Sequence, residues 1–237
     1  MAGNRPRASR RAGLGVRLAR VFWLATLAAV AVIGWNRWQR GDWPFRSGSR
    51  LDGVSILGRQ AWGAGPSNGK AAAMARPSRI TIHHMGGNVV EGTDRQISCR
   101  SIQAIQKEHV QRRHWDDIGY HYIVDRGGRV WEGRPISQQG AHAGSPDANQ
   151  GNIGVVLLGN FDLQEPSAPQ LDSLERLVDA LRRRYGIARG QVLSHQEVRS
   201  EGGMGATSCP GKRLAPWLDA YRKGGVAADT ASRKLPW

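Results

Sequence analysis

Arg79-Ile80-Thr81-Ile82-His83-His84 is the stretch on which the reading of this chain turns. Apolar and polar side chains alternate through most of it, which is the period of a half-buried strand. Successive side chains point to opposite faces, so His83 shares the face of Thr81, and His84 that of Ile80 and Ile82. Adjacent strand histidines do not readily reach one metal ion from the same side, so one of the pair is a ligand candidate. Two further segments supply matching chemistry: Ile118-Gly119-Tyr120-His121-Tyr122, and Ser194-His195-Gln196-Glu197-Val198 with Thr207-Ser208-Cys209-Pro210-Gly211 after it. Together they hold imidazoles, a thiol, a phenol and a hydroxyl. A hydrolytic zinc site needs three protein ligands, an open fourth position, and nearby donors for developing charge. His83, His195 and Cys209 fit that need, but they lie far apart in sequence and only a fold can unite them.

Outward from this strand, helical and extended signals alternate. Thr93-Asp94-Arg95-Gln96 reads as a capping box opening a helix to about Arg113, with Ile97, Ile102, Ile105 and Val110 on its apolar face. Strands follow at Tyr120–Val124 and Arg129–Trp131, joined through Arg126-Gly127-Gly128, a hairpin signal. The continuous apolar run Ile153–Leu158 suits a central strand buried on both faces. Ser167-Ala168-Pro169-Gln170 caps a helix whose Leu171, Leu174, Val178, Leu181 and Tyr185 recur at helical spacing and belong to a core. Gln191–Ser194 delivers His195 from a short strand, and Lys212–Arg222 closes with a helix. The expected fold class is α/β, a central mixed β-sheet flanked by helices.

The chain has 237 residues and a net charge of +15. Residues 1–50 carry ten arginines, no lysine and one acid, +9; the remainder carries 24 basic and 18 acidic residues, +6. The excess therefore sits in the leader, with residues 1–20 as a basic cytoplasmic N-terminus. Residues 21–36 follow as an uncharged apolar segment, short for a spanning helix and long enough for a signal core. Trp35, Trp38 and Trp43 at its far edge suit a membrane–water interface. Two readings stand, an uncleaved membrane anchor or a cleaved signal. Both put the C-terminal domain outside the cytoplasm, in the cell envelope. Residues 37–53 read as a linker, 54–223 as the domain and 224–237 as a flexible tail. No basic helix interleaved with aromatics accompanies the charge, which argues against nucleic acid as a partner. With Cys99 and Cys209 as the two cysteines, a disulfide between them would consume the sulfur that a metal site needs.

In this order, the segments resemble the peptidoglycan recognition protein family and the phage lysozyme-type zinc amidases, N-acetylmuramoyl-L-alanine amidases of the type 2 fold. The likeness runs over about residues 54–223 and includes Trp62-Gly63-Ala64, Asp117-Ile118-Gly119-Tyr120-His121-Tyr122, Glu132-Gly133-Arg134-Pro135, Gly140-Ala141-His142-Ala143 and Asn152-Ile153-Gly154-Val155. It implies one Zn2+ held by His83, His195 and Cys209, and catalytic roles for Tyr120 and Thr207. Tyr120 would position water or the oxyanion, and Thr207 would donate to the oxyanion. His84 and His142 are implied as substrate-binding cleft residues. The implied reaction is hydrolysis of the amide between N-acetylmuramic acid and L-alanine in peptidoglycan. The alternative is a module of the same fold that binds muropeptides without cutting them, and such members typically lack the cysteine ligand. A monomer is expected. Glu197, two residues from His195, reads as structural or as a support for that ring, with a proton-transfer role left open, and His121 as facing away from Tyr120. One departure stands out: the glycine-rich stretch from Ser200 to Ala206 is longer than many relatives have, and is a candidate flap over the cleft.

Overall fold

The computed structural model describes residues 48–224. The leader, its anchor or signal segment and the tail beyond Gly224 lie outside the described residues. Among the described residues no helix is long and apolar enough to cross a membrane.

The strands are β1 (Gly48–Leu51), β2 (Val54–Leu57), β3 (Arg79–His84), β4 (Tyr122–Val124), β5 (Val130–Glu132), β6 (Asn152–Leu157) and β7 (Val192–Ser194). They form one mixed sheet in the order β1-β2-β5-β4-β6-β3-β7. The block β4-β6-β3-β7 is parallel, and β6 is buried at every residue, as its unbroken apolar run requires. The helices are α1 (Arg95–Lys107), α2 (Pro146–Asn149), α3 (Ala168–Tyr185), α4 (His195–Glu201) and α5 (Ala215–Arg222). On one face, α1 packs Ile102 and Ile105 against Trp62, Ile118 and Val156. On the other, Leu174, Val178 and Leu181 of α3 and Trp217 and Tyr221 of α5 cover Ile80, Ile82, Val155 and Leu157. Ile82 has no exposed surface, so Ile82→Ala should cost about 2–5 kcal/mol through lost transfer energy and an unfilled cavity. The mixed sheet flanked by helices is the fold class that the sequence implied.

Several boundaries move. The segment expected to be linker to residue 53 already contains β1, which pairs with β2. Asp52 (φ 44) and Gly53 (φ 88) form the two-residue turn between them. An Asp-Gly pair tolerates the left-handed conformation at both positions that such hairpins need. Asp94, not Thr93, caps α1, its carboxylate accepting from the backbone N–H groups of Gln96 and Ile97. The helix expected to reach Arg113 is α-helical only to Lys107 and continues as a π turn from Glu108 to Arg112. β4 starts at Tyr122, leaving Tyr120 in the preceding loop. The last helix begins at Ala215 rather than Lys212.

Candidate metal centre

Strand register brings the first two candidate ligands together. In the parallel pair β3–β7, Ile82 stands opposite Ser194. The residues that follow, His83 still within β3 and His195 just past β7, therefore lie side by side, with ring centroids 4.5 Å apart. Ser194 ends β7 and caps α4 in a capping box with Glu197, which turns the chain sharply and fixes His195 at the first helical position. The loop after α4 returns Cys209 to the same point: Cys209 Sγ is 3.7 Å from His83 Nδ1. The ligand atoms of His83, His195 and Cys209 all lie within 4.8 Å of one another.

The arrangement fits a metal ion. His195 Nε2 is buried and has no hydrogen-bond partner, an orphan that native interiors rarely keep without a reason. Burial first, then the neighbouring His142 and His195, hold the His83 imidazole well below its ordinary range. Burial, then Arg199 and His84, bring His195 down to about 4. Both rings are thus neutral at neutral pH, the form that ligates metal. Burial pushes the Cys209 thiol up to about 12, while the His84 backbone N–H, hydrogen-bonded to the sulfur, pulls the other way. Two imidazoles and a sulfur are a donor set suited to zinc. Cys99 and Cys209 are both free, so the sulfur is not spent on a disulfide.

His142 borders the cleft that opens beside the centre, but little of its ring is exposed. It is buried, 5% exposed, and its Nε2–H donates to the Asn152 carbonyl at 3.0 Å. Its Nδ1 is therefore the acceptor for His83 Nε2–H, at 3.1 Å. Both nitrogens are used within the protein, so the ring orients His83 from the cleft wall. Gly154 makes room for this ring: a Cβ there would stand 2.5 Å from His142 Cδ2. His84 points to the other side of the sheet, as strand parity requires. Its Nδ1 accepts from the Phe161 N–H at 3.2 Å, tying β3 to the loop that follows β6, with Nε2 left over.

Tyr120 lies against His83, ring centroids 5.0 Å apart. Burial, reinforced by the nearby Cys209, raises its phenol well above the ordinary range, so it remains a protonated donor. Thr207 Oγ1 accepts from the Cys209 N–H at 3.2 Å, which caps the turn and leaves its own hydrogen to donate. Glu197 is taken up by the Ser194 cap and by Arg222, at 2.7 Å. His121 bridges the backbone of Gly154 and Gln138.

Sequence reasoning passed over His109 and Arg199. His109, on the π turn, is buried; its Nδ1 accepts from the Gly119 N–H at 2.9 Å, and its ring lies between Trp115 and Tyr120. A polar residue four places beyond Ile105 on an apolar helix face was the available signal. Beside the centre opens a cleft of about 550 Å³ whose walls include His195, Arg199, Trp115, Arg134 and Gly144.

Residues 73–212, more than half of the chain, match the family model described as N-acetylmuramoyl-L-alanine amidase. Peptidoglycan-recognition protein SD of Drosophila melanogaster is 33% identical over 164 residues, 68% of this chain and 82% of that protein. The crystal structure of Drosophila peptidoglycan recognition protein SD superposes with a TM-score of 0.61 at 30% identity, covering 70% of this chain and 94% of that one. The N-acetylmuramoyl-L-alanine amidase LysC from Clostridium intestinale superposes with a TM-score of 0.53 at 26% identity, covering 66% and 91%.

Proposed function

The chain belongs to the peptidoglycan recognition protein and type 2 N-acetylmuramoyl-L-alanine amidase family, and on that premise we propose that it is a zinc-dependent amidase cutting the bond between N-acetylmuramic acid and L-alanine. The observation that carries the reading is the convergence of His83, His195 and Cys209 on one point, with His195 Nε2 buried and unpartnered there. Zinc bound by these residues supplies Lewis acidity toward an amide carbonyl and toward water. The chain supplies the rest. His142 fixes the His83 ring so that Nδ1 presents its lone pair. Tyr120, kept protonated by burial, donates a hydrogen bond to the oxygen on which charge develops, and Thr207 offers a second donor. A preorganised donor of this kind is worth roughly 2.7–4 kcal/mol of barrier.

The recognition-protein relatives support a second reading, a module that binds muropeptides without cutting them. Cys209 beside His83 and a donor tyrosine favour hydrolysis over that reading. Mass spectrometry of peptidoglycan digested with the zinc-loaded full chain separates the two. Hydrolysis should release stem peptides with a new L-alanine amino terminus and free lactyl groups on the glycan. Glycan cleavage with intact lactyl–alanine bonds overturns the proposal, and tight muropeptide binding without turnover assigns the recognition module. The arginine-rich, apolar leader supports a cell-envelope location with the domain outside the cytoplasm, checked by whether protease added to spheroplasts removes the domain.

A further inference from the structure

The stretch from Ser200 to Ala206 lengthens the path between two of the ligand candidates, and its packing gives it a definite job. Ser200 and Glu201 complete α4. The rest folds back on that helix, with the Met204 N–H donating to the Arg199 carbonyl at 2.8 Å. The Gly205 carbonyl in turn accepts from Arg199 Nε at 2.6 Å. The guanidinium is thereby clamped at its Nε edge. Gly144 lets it pass: at φ 98, a Cβ there would stand 2.6 Å from the Met204 sulfur and 3.0 Å from Arg199 Nη1. Arg199 reaches the wall of the cleft that His195 also lines. Its side-chain hydrogen bond is to a neutral carbonyl, and no carboxylate among the described residues pairs with it. An arginine held half-buried in a cleft, with its charge unmatched, is arranged for an external anion, because its planar fork suits a carboxylate.

Position selects which one. Arg199 lies four residues after His195 on the same helix, so the two share a face with roughly 5–6 Å between Cβ atoms. An extended peptide advances about 3.3–3.6 Å per residue, so Arg199 stands about two residues from a bond cut at the metal centre. We propose that Arg199, clamped by the glycine-rich stretch, binds the free α-carboxylate of the second stem-peptide residue and sets a preference for the acid over the amide there. This rests on the peptidoglycan reading of the same cleft.

The test is calorimetric titration of the metal-free full chain with N-acetylmuramoyl-L-alanyl-D-glutamate and with its D-isoglutamine counterpart, which differ only at that carboxylate. Wild type should bind the acid about tenfold more tightly, the size expected of one charge-assisted pair. Arg199→Gln should bring the two affinities together by weakening the acid alone, and Arg199→Lys should keep part of the preference. Equal affinities in wild type, or a preference that survives in Arg199→Gln, overturn the assignment while leaving the amidase reading intact. Binding of neither ligand overturns the peptidoglycan reading and this assignment with it. A melting temperature for each variant separates lost recognition from lost fold.

Discussion

His83 and His142 meet edge to face, ring planes 84° apart, with Nε2 of the first 3.1 Å from Nδ1 of the second. Because His142 Nε2–H is committed to the Asn152 carbonyl, only one proton arrangement satisfies the pair. His83 must carry its proton on Nε2, which leaves the Nδ1 lone pair facing Cys209. A hydrogen bond behind a ligating imidazole fixes tautomer and orientation, and losing it typically costs 10–100-fold in metal affinity. His142→Phe should therefore weaken zinc binding by about that factor, measured by competition with a chromophoric chelator. Unchanged affinity would show that His83 needs no such support.

Metal loading should also release a proton. His83 and His195 are neutral at neutral pH, whereas Cys209 is held as a thiol. Binding should liberate about one proton, and affinity should rise about tenfold per pH unit near neutrality. Calorimetry in buffers of different ionisation enthalpy reads both. Alanine at His83, His195 or Cys209 should abolish stoichiometric binding. His84→Ala should retain it, since that ring lies across the sheet on Phe161. Full zinc occupancy in Cys209→Ala would remove the cysteine from the ligand set.

The parts of this site legible in the sequence were those carried by strand parity and motif order. Alternation in β3 separates His83 from His84, and the resemblance orders the three ligand candidates. What could not be read depends on contacts between distant segments. That Gly154 on β6 opens space for His142, letting a cleft residue also buttress His83, follows only once Thr81 is known to lie opposite Gly154. The clamp on Arg199 likewise needs Gly144 beside Met204. By contrast, the β1–β2 hairpin was present locally as Asp52-Gly53 and was hidden by the surrounding arginine, serine and glycine, whose composition resembles a linker.

Acid should destabilise the metal-free protein through its buried neutral histidines. His121 is 1% exposed; its Nδ1 accepts from the Gly154 N–H and its Nε2–H donates to the Gln138 carbonyl. Burial first brings it down to about 4 from an ordinary 6.5, against the opposing Gln138 bond. Its folded value lies below its unfolded one, so the unfolded chain takes up the proton first. The stability it contributes is complete above pH 6.5, declines as pH falls through that value, and is lost by about pH 4. A shift of that size corresponds to roughly 3 kcal/mol. His121→Asn should flatten the fall in unfolding free energy between those limits, followed by urea titration at each pH. An identical slope in the variant would assign the acid sensitivity to other groups.

The remaining prediction concerns Tyr120, where position and protonation point to the same role. Its ring is wedged between His83 and His109, with centroids 5.0 and 5.5 Å away. His109 is pinned in turn by the Gly119 N–H, so the phenol is held in place by packing on both sides. Burial keeps it protonated throughout the working range, which makes it a donor and not a base. Tyr120→Phe removes that donor and preserves the packing. The variant should keep its fold and its zinc affinity. If the phenol donates chiefly to the developing oxyanion, turnover should fall by about 10²–10³ with little change in KM. A large rise in KM at unchanged kcat would instead make Tyr120 a ground-state binding contact. Loss of zinc would make it part of the scaffold behind His83.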